Sequence, residues 1–329
     1  MKRRILVSGA GSIGMRHLRN LRVLGINDLA VSDPDADHLK NAADELQVEP
    51  FADFTEALTR YKPSIVLACG PTITHVPQAL EAAKTGAHVF IEKPLSHTPE
   101  RIDELQEETA KRNRACMVGC NMRFHPGPAM VKKLLDEGRI GKILEAEVYT
   151  GSYLPNWRPQ QDYKKSYSAD PAQGGAVLDC IHEIDLALWY FGPAKIAQAT
   201  TQSAATIGLP EIDGTADINL VHEGGMKSHV HLSFTEPEYR RFCAITGTKG
   251  SIRWDFTEKI VEVKNRDGKI VDSFAEPENW EPNDMYIDEM KHFLECIETQ
   301  QAPRRNLAEA NAALQIALQA RNTAKMSDK

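Results

Sequence analysis

A glycine-rich turn between a strand and a helix constrains the fold of this chain more than any other feature. The apolar run at residues 4–8 leads directly into a Gly-x-Gly-x-x-Gly motif, and a helical pattern of apolar residues continues to residue 24. In this order, such glycines let the backbone approach a pyrophosphate, which then lies on the helix N-terminus. We therefore expect a dinucleotide to contact the residues of the turn, which are Gly9, Gly11, Ser12, Ile13 and Gly14.

An acidic residue after the second apolar run indicates which dinucleotide this is. Asp33 ends the run at residues 29–32 and lies 19 residues after Gly14. A carboxylate at this place accepts hydrogen bonds from the adenosine ribose and repels a 2′-phosphate, and no arginine follows it closely. The sequence therefore favours NAD over NADP. The alternative is that Asp33 belongs only to a turn and a helix cap.

Strand and helix patterns go on alternating up to about residue 120. The apolar runs at residues 64–69, 87–91 and 116–119 each end in a loop, as a doubly wound parallel sheet requires. Beyond residue 121 the rhythm breaks, and residues 194–274 form a pattern of short strands beside one helical segment. We predict an α/β protein with a Rossmann domain over residues 1–120. A second α/β domain, with a mainly antiparallel open sheet and the C-terminal helices, is predicted over residues 121–329.

Polar residues recur within the apolar helical pattern that follows Gly174-Gly175. Asp179, His182 and Asp185 are spaced by three and therefore share one face of a helix. Such a stripe is poor core material but suits proton transfer, because imidazole ordinarily titrates near neutral pH. We expect His182 to act as the general base, with Asp179 steering it or binding a neighbouring hydroxyl. A solvated helix face is the alternative.

The bulk composition excludes several classes of partner and site. The net charge of -7 leaves no basic surface for nucleic acid, and no apolar run approaches the ~20 residues of a membrane span. The six cysteines are scattered without a Cys-x-x-Cys pair, which predicts reduced thiols, a cytoplasmic location and no zinc site among them. His222, His229 and His231 read as the polar side of alternating strands, so no metal is expected.

Taken together, the motifs resemble those of the Gfo/Idh/MocA oxidoreductases, the glucose–fructose oxidoreductase and inositol dehydrogenase family. The resemblance covers essentially the whole chain. Its motifs are Gly9-x-Gly11-x-x-Gly14, Pro71-Thr72-x-x-His75, Glu92-Lys93-Pro94, Asn121-x-Arg123-x-x-Pro126, Gly174-Gly175 with Asp179 and His182-x-x-Asp185, and Gly247-Thr248-Lys249-Gly250. One departure is that Asp179 and His182 are three apart, whereas many members space them by four.

The resemblance implies a fold, a cofactor and a reaction. The family joins a Rossmann domain to an α/β domain whose open sheet often forms dimers or tetramers, so a homodimer or homotetramer through that sheet is expected. A nicotinamide dinucleotide is the implied cofactor. The implied reaction is an NAD(P)-dependent hydride transfer at a CH–OH group of a sugar, a sugar derivative or a cyclitol.

The resemblance also implies roles for two further loops. Lys93 is expected to donate to the reacting oxygen and to stabilise alkoxide character there, and its bond to Pro94 is expected to be cis. A surface ion pair with Glu92 is the alternative for Lys93. The residues of these loops that are expected to bind the cofactor are Pro71, Thr72, His75, Glu92 and Lys93.

Aromatic and basic residues precede Gly174-Gly175 and suggest what the substrate looks like. Aromatic rings suit the apolar face of a pyranose, and arginine or lysine suits a carboxylate or phosphate, which favours an anionic or nucleotide-linked sugar. An ordinary surface loop is the alternative. The residues expected to contact substrate are Arg123, Tyr153, Trp157, Arg158 and Tyr163, together with Lys93, Asp179 and His182.

Two other functions are compatible with the same motifs. A non-catalytic NAD-binding regulator would bind the cofactor without reducing it, although the presence of Lys93 and His182 argues against this. An NAD-dependent, redox-assisted glycosidase would release a sugar without net formation of NADH.

Overall fold

The structure is a computed structural model that describes residues 3–157 and 159–327, with side chains as far as residue 322. Tertiary contacts divide the chain into two compact units. One unit consists of the residues up to Asn121 together with Pro282–Asn311, and the other of Met122–Glu281 together with the chain from Ala312 onward. The predicted domain boundary at residue 120 lies one residue before Asn121, where the chain first passes from one unit to the other. The segment Pro282–Asn311, which the sequence placed in the second domain, belongs instead to the first unit.

The described residues of the first unit contain a parallel sheet of six strands. They are β1 (Ile5–Ser8), β2 (Leu29–Ser32), β3 (Glu49–Phe51), β4 (Ile65–Ala68), β5 (His88–Ile91) and β6 (Cys116–Val118). Their order is β3-β2-β1-β4-β5-β6, which reverses direction between β1 and β4. All residues of β1, β2, β4 and β5 are buried, as happens when helices cover both faces of a sheet. The predicted doubly wound sheet is confirmed, and the reversal opens a crevice at the carboxyl ends of its strands.

The helices that follow these strands start with different caps. They are α1 (Ser12–Val23), α2 (Ala36–Leu46), α3 (Phe54–Tyr61), α4 (Thr72–Thr85) and α5 (Ile102–Lys111). Asp35 caps α2 by accepting from two backbone N–H groups, and Asp53 caps α3 by accepting from the N–H of Glu56. The N-cap of α1 is Gly11, which has no side chain to offer. The first N–H groups of α1 are therefore left to another partner.

The second unit is built on a mainly antiparallel sheet of eight described strands. They are β7 (Ile143–Tyr153), β8 (Ala194–Ala204), β9 (Leu209–His222), β10 (Lys227–Ser233), β11 (Thr235–Gly247), β12 (Gly250–Asp255), β13 (Ile260–Asn265) and β14 (Ile270–Ala275). Their order is β14-β13-β12-β11-β7-β10-β9-β8, and β7 pairs with β10 in parallel. The predicted open sheet is confirmed.

Helices cover one face of this sheet. They are α6 (Pro126–Asp136), α7 (Ala176–Asp179) and α8 (Ile181–Phe191), which contact β12, β9 and β10 respectively. Because strand side chains alternate, Val230 and Leu232 are buried under the helices, whereas His229 and His231 lie on the opposite face. We call this opposite face the open face. One prediction was wrong, since His222 is 2% exposed on the covered side, where it contacts Ser228.

Two helices close the chain, α9 (Asp284–Thr299) and α10 (Leu307–Ser327). The segment between them explains why Pro282–Asn311 belongs to the first unit. Strand β6 is the last strand of its sheet, and the N–H of Val118 donates to the carbonyl of Arg305. The guanidinium of Arg305 in turn donates to the carbonyl of Gly119 at 2.7 Å. The C-terminal segment thus satisfies backbone groups that an edge strand would expose. Among the described residues, no helix has both the length and the apolarity needed to cross a bilayer.

Replacing Arg305 with alanine should destabilise the protein. Arg305 is 1% exposed, so the change leaves a cavity and removes the hydrogen-bond donor to the carbonyl of Gly119. We expect a loss of about 2–4 kcal/mol in the free energy of unfolding, measured by urea denaturation. The exposed neighbour Arg304 provides the control, because Arg304→Ala should cost less than about 0.5 kcal/mol. Equal effects of the two changes would contradict the assignment.

A buried histidine starts α6 in the second unit. The Nδ1 atom of His125 accepts from the N–H of Gly127, and its ring contacts Trp254 and Trp280. Burial, and to a smaller extent the charge of Arg241, lowers the pKa of His125 to about 3. The folded protein therefore keeps this imidazole neutral at all pH values near neutrality.

Stability should fall when the pH is lowered, and His125 should account for part of the fall. The unfolded chain binds a proton at His125 near pH 6.5, which the folded chain does not take up until about pH 3. Between pH 7 and pH 5 this difference should lower the free energy of unfolding by about 2 kcal/mol. The variant His125→Asn keeps a capping acceptor but does not titrate. Its free energy of unfolding, measured by urea denaturation, should therefore fall by about 2 kcal/mol less than that of the wild type between pH 7 and pH 5. An identical pH dependence would contradict the assignment.

Candidate active site

Close backbone contacts explain two of the three glycines in the turn after β1. Gly9 has a φ of +96°, and a Cβ there would lie 2.6 Å from the nitrogen of Gly70. A Cβ on Gly14 would lie 1.8 Å from the carbonyl oxygen of Gly9. Both glycines are therefore required by packing alone. A Cβ on Gly11 would meet nothing within 4 Å, so packing does not explain this glycine.

The space beside Gly11 is open at the start of α1. Gly11 caps α1 without a side-chain hydrogen bond, and the first turn of α1 contains no acidic residue. Ser12 is exposed and Ile13 is half-buried at this helix end. Unpaired N–H groups and the positive end of the helix dipole favour an anion here. The glycine turn thus leaves the start of α1 open to an anion.

Asp33 lies next to this turn at the end of β2. Its Oδ2 atom accepts from the N–H of Ala10 at 2.6 Å, and its Oδ1 atom accepts from the N–H of Asp35 at 2.9 Å. The side chain is thus part of a local turn, as the alternative interpretation held. Each carboxylate oxygen can accept a second hydrogen bond, so ribose hydroxyls can still be bound. The two backbone donors hold the carboxylate in place for that role.

His75 connects the loops that follow β4 and β5. Its Nδ1 atom lies 2.8 Å from the carbonyl oxygen of Pro94, and its Nε2 atom lies 2.9 Å from that of Gly70. Burial lowers the pKa of His75, while its contacts with the two carbonyl groups act in the opposite direction. Beside it, Thr72 is buried and Pro71 is exposed at the start of α4. His75 therefore holds two loop backbones together at the carboxyl edge of the sheet.

Lys93 follows a buried carboxylate at the end of β5. Glu92 is 7% exposed, its Oε1 atom lies 2.6 Å from Nε2 of His17, and its Oε2 atom accepts from the N–H of Lys93. Burial raises the pKa of Glu92, but the hydrogen bond with His17 and the charge of Lys93 outweigh burial, and the pKa is lowered. Lys93 itself is half-buried, and its peptide bond to Pro94 is cis, as the resemblance implied. A charged Glu92 thus anchors the backbone of Lys93.

The polar residues after Gly174-Gly175 have different partners. Oδ1 of Asp179 accepts from the hydroxyl of Tyr167 at 2.8 Å, and Oδ2 accepts from that of Ser168 at 2.7 Å. The predicted single helix is interrupted at Cys180, which leaves Asp179 in α7 and His182 in α8. Asp179 is 4% exposed, whereas His182 is half-buried and in reach of solvent.

Asp185 and Arg123 form a buried ion pair. The guanidinium of Arg123 donates to both carboxylate oxygens, at 2.8 and 2.9 Å, and lies over the ring of Trp189. The side chains of Arg123 and Asp185 are 2% and 1% exposed. This pairing gives Asp185 a structural role in the second unit. Arg123, which the sequence assigned to the substrate, has its charge matched by Asp185.

The other predicted substrate residues lie in or beside an irregular segment after β7. Tyr153 is half-buried, Trp157 donates to the hydroxyl of Ser152 at 2.9 Å, and Tyr163 donates to the carbonyl of Ile207 at 2.8 Å. Trp157 is 41% exposed, so its ring remains accessible. Arg158 lies outside the described residues.

Sequence reasoning missed some partners that hold the site residues. His17 lies on the buried face of α1, and its place within an apolar helical stripe was a signal that could have been used. Ser168 gave no such signal. Glu183, which is buried in α8, pairs with Arg241 of β11 at 2.6 Å, and this pair joins two segments far apart in the chain.

Three features define a dinucleotide-binding Rossmann protein. They are a parallel sheet with this strand order, an open helix N-terminus and an acidic residue after β2. Residues 3–120 match the family model described as the oxidoreductase family with an NAD-binding Rossmann fold. Residues 129–253 match the GFO/IDH/MocA C-terminal domain. The chain belongs to the Gfo/Idh/MocA oxidoreductase family and has its NAD-binding fold.

Relatives of known activity match most of the chain. The protein is 27% identical to scyllo-inositol 2-dehydrogenase (NAD(+)) of Bacillus subtilis (strain 168), with 97% of this chain and 93% of the relative covered. It is 32% identical to inositol 2-dehydrogenase 3 of Saccharopolyspora erythraea, with 76% and 72% covered. A levoglucosan dehydrogenase solved with NADH and levoglucosan has the same fold, with a TM-score of 0.88, 18% identity, and 99% of this chain and 98% of that chain covered.

The open space beside Gly11 leads to a prediction about the cofactor. Gly11 has a φ of −69°, so Gly11→Ala should fold with a melting temperature close to that of the wild type. Its methyl group would occupy the space that fits the diphosphate, and NADH affinity, measured by fluorescence titration, should fall at least about tenfold. Gly14→Ala is the contrasting variant, which should lose stability because its Cβ meets the backbone of Gly9. Unchanged NADH affinity in Gly11→Ala would refute this location of the cofactor.

Proposed function

We propose that this NAD-binding oxidoreductase transfers a hydride between nicotinamide and a secondary alcohol of a sugar or cyclitol, with Lys93 and His182 as its catalytic residues. The observation that carries the proposal is the half-buried Lys93, held by a buried and charged Glu92 at the carboxyl edge of the Rossmann sheet. The inositol dehydrogenases among the relatives support the substrate class.

The residues of the first unit would bind the cofactor and assist the reacting oxygen. Bound NAD supplies a nicotinamide ring that exchanges a hydride with the carbon of the alcohol. The α1 N-terminus at Gly11 would hold the diphosphate and Asp33 the adenosine ribose. The ammonium of Lys93 would donate to the alcohol oxygen and stabilise negative charge as it develops. Glu92 keeps the backbone of Lys93 in place, and His75 holds the following Pro94.

His182 is proposed to act as the general base that accepts the proton of the alcohol. The ring is half-buried, so it can pass the proton on to solvent after each turnover. Asp179 accepts hydrogen bonds from Tyr167 and Ser168, which favours a positioning role in the wall beside His182 over direct proton transfer. The ion pair between Asp185 and Arg123 stiffens the next turn of the same helix.

The substrate is proposed to be a neutral polyol. Arg123, one of the residues expected to contact the substrate, is already neutralised by Asp185. Tyr153, Trp157 and Tyr163 remain as candidates for contact with the apolar face of a sugar or cyclitol ring. A panel of inositols, anhydrosugars and nucleotide-linked sugars, with NADH formation as readout, would test this choice. A strong preference for the nucleotide-linked sugars would contradict it.

We also propose a cytoplasmic enzyme that associates through the open face into a homodimer or homotetramer. All six cysteines are described, and all are buried and free, as in a reducing compartment. The open face carries stacked aromatic rings, with Tyr149 4.9 Å from Phe242, which suit burial by a second copy. Sedimentation of the purified protein gives the oligomeric state.

Removing either catalytic residue should abolish turnover without abolishing cofactor binding. We expect Lys93→Met and His182→Ala each to lower kcat by about 10²–10⁴-fold, because each removes an acid–base or electrostatic contribution to the transition state. NADH affinity, measured by fluorescence, should change by less than about threefold, since neither side chain is assigned to the diphosphate. The exposed Lys40 provides the control, and Lys40→Met should keep full activity.

Other outcomes would overturn the proposal. Near wild-type turnover in Lys93→Met or His182→Ala would refute the catalytic assignment. NADH binding without turnover on any member of the panel would indicate a non-catalytic regulator. Release of a sugar with only catalytic amounts of NAD, and without net NADH, would indicate a redox-assisted glycosidase.

A further inference from the structure

Two histidines and an aspartate form a cluster on the open face of the second sheet. Asp217 lies on β9 directly opposite His231 of β10, and His229 precedes His231 on the same side of its strand. One ligand atom from each lies within 4.8 Å of the other two. Within the described part of the chain, this is the one group of three such side chains that could hold a metal ion.

The hydrogen bonds of the cluster leave a place for a cation. Nδ1 of His229 lies 3.1 Å from Oδ1 of Asn219, so a ring that donates there has a lone pair at Nε2. This Nε2 faces Oδ1 of Asp217 at 3.2 Å. Two acceptors at this distance repel each other unless a positive centre lies between them. The same contacts can also form without a metal ion. In that case Nε2 of His229 carries a proton and donates to Asp217, and the amide of Asn219 is turned so that its N–H donates to Nδ1. Metal titration distinguishes the two arrangements.

The spacing of the ligand atoms is compatible with tetrahedral zinc. Zinc–nitrogen and zinc–oxygen bonds of about 2.0–2.2 Å place neighbouring ligand atoms about 3.3 Å apart. The distance of 3.2 Å between Asp217 and His229 is close to this value. The distance of 2.7 Å between Asp217 and His231 is a hydrogen bond, and would open by about 0.6 Å when the ion replaces the proton.

An aromatic ring and a carboxylate border the cluster. The ring of Tyr149 stacks on His231 with centroids 4.5 Å apart, which fixes the plane of the imidazole. Glu147 of β7 lies directly across from His229 in the parallel ladder and adds a negative charge near the cluster. In the single chain the side chains of Asp217, His229 and His231 are 45%, 34% and 21% exposed, so an ion and a water ligand can reach them before two copies associate through this face.

We propose that Asp217, His229 and His231 bind a zinc-type divalent cation, with water as the fourth ligand. Two imidazoles and one carboxylate suit zinc better than magnesium or calcium, which prefer oxygen ligands alone. Asn219 orients His229 through its other ring nitrogen, as an outer partner of a metal ligand commonly does. The site joins β9 to β10 and takes no part in hydride transfer, so its role is to stabilise the second sheet.

Metal binding by untagged, chelator-treated full-length protein tests the proposal. Titration calorimetry with Zn²⁺ should give one ion per chain, and zinc should raise the melting temperature, because it binds the folded state alone. His229→Gln and His231→Gln should each weaken zinc binding at least about a hundredfold, and Asn219→Ala about tenfold. His38→Gln, which removes an exposed histidine elsewhere, should bind zinc like the wild type.

Several results would overturn the zinc site. If the wild type takes up no zinc and its melting temperature responds to pH alone, the cluster holds a proton instead. Unchanged binding in both His229→Gln and His231→Gln would place the ion at other residues. Loss of NADH formation on treatment with chelator, restored by zinc, would refute the structural role. The zinc-binding and melting results do not depend on whether Lys93 and His182 act in catalysis.

Discussion

The close backbone approach in the turn after β1 is the constraint on which the nucleotide-binding unit depends. A side chain at Gly9 or Gly14 would collide with backbone atoms of Gly70 or of Gly9 itself, so α1 can follow β1 this tightly only with glycine at both positions. Tight packing directs the uncapped start of α1 towards the point where the strand order reverses. The cofactor site is therefore a consequence of how the strand and the helix pack.

Buried polar contacts then hold the residues that we propose to be functional. His17 contacts Glu92 beside Lys93, Arg123 holds Asp185 in the helix of His182, and each contact links segments far apart in the chain. A buried charge without its partner is costly, so removal of either member of a pair should disturb the neighbouring residue as well. These contacts give the two proposed catalytic residues fixed backbones, while Lys93 and His182 themselves remain partly accessible.

Much of the fold could be predicted because its signals are local. Apolar runs, glycine motifs and the change of rhythm after residue 121 predicted both sheets, and matching family models cover most of both units. Long-range contacts were harder. His222 was placed on the wrong side of its strand, because the alternation of a strand does not say whether a polar side chain finds a partner inside, as His222 does with Ser228. Pro282–Asn311 was assigned by its position in the chain, and not by the edge strand that it covers.

By itself, the sequence determined the element types, the glycine turn with Asp33, and the identity of Lys93 and His182 as candidates for catalysis, since spacing and residue chemistry are properties of the chain alone. Only the tertiary structure decided which charges are paired, that Arg123 belongs to Asp185, and that Asp217 meets His229 and His231 on one face. The physical reason is that hydrogen bonds and ion pairs act over a few ångströms. Which groups come that close depends on strand register and helix packing, which no local pattern encodes.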